Sequence, residues 1–264
     1  MARPLSERLF TGIRGHSGQM EGRSIVEKKI HKLAKGYDMD LVGVADLSPA
    51  APHLARQGGA IFEKYPRAIS LGFRLANDIV ESIADHGNRA LVMNYIHHVY
   101  SVVNRRLDQA ALSLAKLLME QGYLALPVPA SQVLSFETYT GLVPHKTAAH
   151  LAGLGWVGKS ALLVTREYGP RVRFATVYTD APLPTGTPQK VRCGSCGVCV
   201  DACPAHAFTG NNFDEEEPRD YIYDAKACNN YMRERRLSLL GESVFGGNCG
   251  LCVQVCPFGE PKLP

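Results

Sequence analysis

The chain has 264 residues, 45% of them hydrophobic and 20% charged, with a formal net charge of +4. This is the composition of an ordinary globular protein with room for one large core and a small satellite. No apolar run approaches the roughly 18 residues of a membrane span. Residues 1–15 lack both the long apolar stretch of a secretory signal and an adjacent arginine pair for export. A cytoplasmic protein with no membrane partner is therefore expected.

In chain order, Ser24 and Glu27 read as a capping box that opens a helix. Ile25, Val26, Ile30 and Leu33 follow at helical spacing, and Gly36 is the expected stop. Leu41, Val42 and Val44 predict a short buried strand ending near Asp46, and Ala68–Phe73 a second. From Tyr95 to Glu120 the pattern is helical: Val99, Val102, Val103, Leu107, Ala110, Ala111, Leu114, Leu117 and Leu118 return on one face. Gly122 ends that helix and Leu124–Val128 reads as a strand. His145–Leu151 looks helical, Ala161–Thr165 extended, and Val172–Thr179 extended again after a turn at Gly169-Pro170. Pro182, Pro184, Gly186 and Pro188 make a linker. The expected organisation is an α/β or α+β body over residues 1–185 and a cysteine domain over 186–264.

All eight cysteines fall between Cys193 and Cys256. Cys193, Cys196, Cys199 and Cys203, followed by Pro204, form the run C-x2-C-x2-C-x3-C-P. In such a run three thiolates bind one 4Fe–4S cluster and the fourth reaches another. A second run, Cys249, Cys252 and Cys256 before Pro257, lacks its first cysteine, because Gly246 stands there. Cys228 is the remaining thiolate. Two clusters with four ligands each account for every cysteine: Cys193, Cys196, Cys199 and Cys256 for the first, and Cys203, Cys228, Cys249 and Cys252 for the second. Zinc and disulfides are the alternatives, and the run disfavours both. Each oxidised cluster with its thiolates carries roughly −2, which brings the formal +4 to about zero and removes the argument for a nucleic-acid partner.

Residues 153–160, GLGWVGKS, match both the phosphate-binding pattern G-x4-G-K-[ST] and G-x-G-x-x-G. Both motifs need a strand before the glycines and a helix after them, so that the helix N-terminus meets the phosphate. Here the order is reversed. A helix C-cap and a tight turn into a strand is the better expectation, with no nucleotide bound. His97 and His98 read as ordinary residues of the long helix, Asp214–Glu217 as a solvated loop, and Arg233, Arg235 and Arg236 as a solvated helix face.

The segment AGLGWVGKSALL (152–163) resembles the AGLGW-[IV]-GK motif of epoxyqueuosine reductases. GYDMDLVGVAD (36–46), YPRAISLGF (65–73), CGSCGVCVDACP, KACNNY (226–231) and CGLCVQVCP (249–257) agree with that family in order. The isolated Cys228 before an incomplete second run is the most specific point. The resemblance, which extends to the related reductive dehalogenases, implies a nitroreductase-like, cobalamin-binding domain packed on a ferredoxin-like domain. It implies a reductase fed by two 4Fe–4S clusters, with an electron donor such as a ferredoxin or flavodoxin and a small-molecule substrate. Gly155, Trp156, Gly158 and Lys159 would lie near the corrin, with core packing as the other reading of Trp156.

Two departures qualify the resemblance. Where the family has an acidic proton donor and an arginine, in D-[ST]-A-P-V-x-E-R, residues 139–146 read YTGLVPHK. This places Tyr139 as the proton donor, Lys146 as the cation stabilising its phenolate, and Glu137 as the rival donor. The family's helical-repeat tail, which helps to bind tRNA, does not follow Cys256, so tRNA is not the expected substrate. A non-catalytic electron carrier that docks a redox partner is the alternative, and a flavin in the same pocket is a third reading.

Overall fold

The computed structural model describes residues 16–131, 135, 139, 141–142, 144–241 and 249–259. Its first helix, α1 (His16–Gly36), buries Val26, Ile30 and Ala34 at a spacing of one turn. It begins ahead of the Ser24–Glu27 pattern expected to open it, and no proline stands between His16 and Ser24 to interrupt it. The helix ends at Gly36, as expected, but Gly36 is not the residue that takes the left-handed conformation. The left-handed residue is Asp38, at φ +59°, with Asp38 N–H on Lys35 O (3.1 Å) and Met39 N–H on Ala34 O (3.0 Å). Aspartate is among the few residues besides glycine that tolerate this closure.

Next come β1 (Leu41–Asp46), α2 (Ala51–Gly58), β2 (Arg67–Arg74) and α3 (Asn77–Glu81). Helix α4 (Arg89–His97) is capped by Asn88, whose Oδ1 accepts from the Ala90 and Leu91 N–H groups. A π-helical turn at His98–Val103 joins it to α5 (Asn104–Glu120). The helix expected from Tyr95 therefore starts at Arg89. The extra residue of a π turn keeps Val99, Val103 and Leu107 in line at four-residue spacing. Val102, expected on the same face, points to solvent instead.

The remaining strands are β3 (Ala125–Val128), β4 (Trp156–Val157), β5 (Leu163–Val164) and β6 (Val172–Thr179), with α6 (His145–Leu151) before β4. Four of the strands make one sheet in the order β1-β2-β6-β3, and every pairing is antiparallel. Of the two expected classes, the antiparallel sheet fits α+β. Strand β2 is buried on both faces from Ala68 to Gly72, and such a run reads alike in parallel and antiparallel sheets. Its Ile69 and Leu71 join the core beneath α1 and α5, while Ala68 joins the core beneath α2 and α6. The sheet is the middle of three layers.

The cysteine region adds α7 (Val198–Asp201), α8 (Ala225–Leu240) and α9 (Leu251–Gln254). Helices α7 and α9 pack together, and α9 also packs on α3. Val253 and Cys252 enter the main core itself. The Pro/Gly linker lies along the body: Gly186 N–H donates to Val44 O at 2.8 Å, and Gln189 Nε2 to Gly153 O at 2.7 Å. Among the described residues no helix is long and apolar enough to cross a membrane.

Candidate metal centre

The first cysteine run folds as a turn followed by one short helix. Cys196 N–H donates to Cys193 O at 2.9 Å, and α7 then carries Cys199 and ends just before Cys203. Cys256 follows α9, so the packing of α7 on α9 brings the two runs side by side. Cys193, Cys196, Cys199 and Cys256 line a single cavity together with Gly158, Lys159, Ser160, Val164, Pro257 and Phe258. Among the described residues, no three Cys, His, Asp or Glu side chains converge as they would on a single ion. Thiolates around a cavity suit the corners of a four-iron cluster rather than one tetrahedral zinc.

The other four cysteines converge as well. Cys228 sits in the first turn of α8, where Asp224 Oδ1 accepts from Ala227 N–H at 2.9 Å. Cys203, Cys228 and Cys252 share one apolar cluster with Phe208 and Tyr223. Burial raises the Cys252 thiol far above its ordinary value, and the charges of Cys249, Cys228, Cys203 and Cys199 add to the effect. Burial also raises Cys256, to about 11, against the Phe258 N–H that lowers it, with Cys199, Cys193 and Cys196 adding to the rise. The sulfurs that act on Cys252 and on Cys256 are thus mainly those of their own expected foursomes, and Cys199 beside Cys252 marks where the two groups adjoin. Such thiols hold their protons until a metal displaces them.

The glycine segment is a helix end followed by a hairpin. Gly153, at φ +75°, closes α6 with its N–H on His150 O (2.9 Å), while Leu154 N–H reaches Ala149 O (3.0 Å). Strands β4 and β5 then pair through a loop in which Gly158 N–H meets Leu162 O and Ala161 N–H meets Gly158 O, both at 2.9 Å. Ala161 takes the left-handed position of this loop, at φ +55°, where glycine is usual. Lys146 Nζ donates to the Ala161 carbonyl at 2.8 Å, and burial lowers the Lys146 amine to about 8, with Arg219 adding to the shift. No helix follows the glycines, so the segment lacks the geometry of a phosphate loop.

The residues expected near the corrin lie on the β4–β5 hairpin. Trp156 is fully buried, edge-on to Phe258 at 4.9 Å, and a Cβ on Gly155 would stand 2.3 Å from Val164 O. Gly158 and Lys159 wall the first cysteine cavity. These four residues lie on the hairpin that walls that cavity. Tyr139 is half-buried at φ +51°, a conformation that costs a non-glycine residue of order 1–3 kcal/mol and is concentrated at functional sites. Glu137 lies outside the described residues. His97 and His98 are an exposed and a half-buried residue of the α4–π junction.

Several contacts had no signal in the sequence. Glu215 of the acidic loop, expected to be solvated, bonds the buried His150 (Oε1 to Nε2, 3.1 Å), whose Nδ1 meets Gly155 O at 3.1 Å. Arg235 is likewise tied down, to the His86 carbonyl. Arg171, 1% exposed, pairs with Glu81 Oε1 at 2.7 Å and donates to Gln254 O at 3.2 Å, while Gln254 Nε2 donates to Glu81 Oε2 at 3.0 Å. Gln254 stands between Cys252 and Cys256, so this buried clasp pins the second run to α3.

Comparison with known proteins bears on the same region. A family model described as a 4Fe-4S double cluster binding domain matches residues 192–259. The epoxyqueuosine reductase of Listeria monocytogenes is 29% identical over 162 residues, 61% of this chain and 41% of the relative. That of Pseudomonas aeruginosa is 31% identical over 175 residues, 62% of this chain and 42% of the relative. The chain thus spans well under half the length of these relatives. Among solved structures, an epoxyqueuosine reductase with an epoxyqueuosine-modified tRNA stem loop aligns at TM-score 0.56 and 18% identity, covering 90% of this chain and 66% of that one. A catabolic reductive dehalogenase aligns at TM-score 0.59 and 20% identity, covering 86% and 31%. The likeness to these structures is one of fold.

Proposed function

We propose that this chain, a sequence relative of the epoxyqueuosine reductases with a 4Fe–4S double-cluster domain, is a reductase in which both clusters pass electrons singly into the body. Cys193, Cys196, Cys199 and Cys256 hold the first cluster, and Cys203, Cys228, Cys249 and Cys252 the second. Residues 1–185 form the substrate body and 186–264 the cluster domain. The observation that carries the reading is the shared wall of the first cavity. Four cysteine sulfurs and the hairpin residues Gly158–Ser160 enclose one space, so that cluster abuts the body. An electron donor of the ferredoxin or flavodoxin type would supply the clusters.

A solved reductive dehalogenase that shares this fold is described as dehalogenating by a B12-dependent mechanism, which favours a cobalamin as the electron acceptor in the body. Tyr139 is the proposed proton donor. Its phenol carries an O–H that can be donated. Lys146 is held on the hairpin at Ala161 O. Its proposed part is therefore to brace the loop that walls the first cluster as much as to face Tyr139.

Anaerobic purification with iron and cobalt analysis and an absorption spectrum tests the reading. About eight iron atoms per chain with stoichiometric cobalt supports a corrinoid reductase. Eight iron with neither cobalt nor flavin bands leaves an electron-transfer protein. With a cobalt-loaded, chemically reduced protein, Tyr139→Phe should keep its iron and lose turnover of epoxide or organohalide probes. Normal turnover in that variant removes Tyr139 from the reaction.

A further inference from the structure

Arg171 carries a charge that the fold buries and only partly answers. It is 1% exposed, and Nη2 alone of its guanidinium nitrogens has partners, Glu81 Oε1 at 2.7 Å and Gln254 O at 3.2 Å. Nε and Nη1 are buried with no hydrogen-bond partner among the described residues. The Glu81 side chain is 39% exposed, so water screens the carboxylate while the guanidinium stays dry. Arginine does not give up its proton, so burial cannot be relieved by neutralising it. A buried charge is costly unless opposite charge lies close by. Gln254 fixes where this charge sits. It stands two residues after Cys252 and two before Cys256, and two residues of chain reach at most about 7 Å. Its Nε2 donates to Glu81 Oε2 at 3.0 Å, so backbone and side chain both hold it to the ion pair. Cys252 belongs to the second foursome and Cys256 to the first, which sets the guanidinium beside a ligand of each.

We propose that Arg171 is a buried counter-charge shared by the two clusters, and that it raises the reduction potential of both. The inference rests on the two-cluster reading above. Reduction adds one electron to a cluster, taken from a low-potential one-electron donor such as dithionite. No bond is made or broken, and the guanidinium keeps its proton. Each oxidised cluster with its thiolates carries roughly −2, and the added electron makes it more negative. Arg171 therefore attracts the reduced form more strongly than the oxidised one. Net charge is among the protein's means of setting such potentials. Glu81 opposes this effect, more weakly because its carboxylate is partly in water.

The test is a redox titration of the anaerobic holoprotein, followed by electron paramagnetic resonance, for wild type, Arg171→Met and Glu81→Gln. The signal lost in Cys228→Ser identifies the second cluster. At each wild-type midpoint the ratio of reduced to oxidised cluster should fall about tenfold in Arg171→Met, which is about 59 mV for one electron. In Glu81→Gln, which keeps an acceptor for Arg171 and removes the opposing charge, the ratio should rise about threefold. A clasp that only held the run in place would loosen in both variants and move both sets of curves the same way. That result overturns the proposal, as do unmoved curves or a shift confined to one cluster. If Arg171→Met does not retain its iron, Glu81→Gln decides alone: a rise in both midpoints sustains the counter-charge, and a fall or no change overturns it. A wild-type protein without about eight iron atoms fails the two-cluster reading instead, before any variant is measured.

Discussion

His145 shows how far a single side chain can be specified by its partners. Its Nε2 lies 2.8 Å from Pro129 O and its Nδ1 2.8 Å from Thr176 Oγ1. A carbonyl only accepts, so Nε2 carries the hydrogen and Nδ1 is free to accept from the threonine hydroxyl. Burial lowers the ring from 6.5 to about 4, with Arg173 adding to it against the Pro129 hydrogen bond, which raises it. Between those values the unfolded chain binds a proton that the folded chain refuses. Stability therefore falls as pH drops from 6.5 toward 4 and is unaffected by this group above 6.5. The full effect is about 3 kcal/mol at most. Anaerobic thermal unfolding should show the wild-type midpoint dropping more steeply between about pH 7 and pH 5 than that of His145→Gln. Parallel curves would mean that the ring is not held neutral. None of this was legible in the sequence, where His145 is only the first residue of a helical heptapeptide. Its partners lie 16 and 31 residues away in chain.

Elements were more legible than their directions. Strand positions followed from the apolar runs, and the turn at Gly169-Pro170 from its residue types. The sheet's antiparallel order did not follow, because strands buried on both faces carry no sign of orientation. The glycine segment was legible because the order of elements, rather than the motif, was the deciding evidence. With α6 before it and β5 after it, no helix N-terminus faces Lys159. Calorimetry of the intact protein should therefore detect no ATP binding, and micromolar binding lost in Lys159→Ala would reverse this. The turn at Gly169 has a second use that sequence alone did not disclose. A Cβ there would stand 1.7 Å from Phe258 O, and one on Gly259 would stand 2.1 Å from the Tyr168 carbonyl carbon. The β5–β6 turn and the end of the second cysteine run are pressed backbone to backbone, next to Cys256. Gly169→Ala meets both that overlap and a φ of +55°. It should cost about 3 kcal/mol or more, seen as a lower anaerobic unfolding midpoint together with loss of first-cluster iron. Full iron retention at an unchanged midpoint would show that the segment docks elsewhere.

Across the whole molecule, two cysteine runs separated by a long insert interlock, and each foursome draws on both. The expected pairing follows from spacing, because the last cysteine of each run stands one residue farther from its neighbour than the others do and is followed by proline. How the pair sits on the body was not readable. It depends on Cys252 and Val253 entering the main core and on the buried clasp of Arg171, Glu81 and Gln254. That clasp predicts how the clusters fail. Cys228 approaches its site from α8, which is built apart from either run, so Cys228→Ser removes one ligand without touching the packing of α7 on α9. Gln254 remains fixed by Glu81 and Arg171, so Cys256 stays beside Cys193, Cys196 and Cys199 even when the second cluster is gone. Cys228→Ser should therefore fold and keep about four of its eight iron atoms, with the remaining signal that of the first cluster. Cys196→Ser should show the converse, retaining the signal that Cys228→Ser loses. Loss of all iron in Cys228→Ser would mean that the second cluster, and not the clasp, holds the runs together. Loss of none would remove Cys228 from the ligands and leave the second foursome without its fourth thiolate.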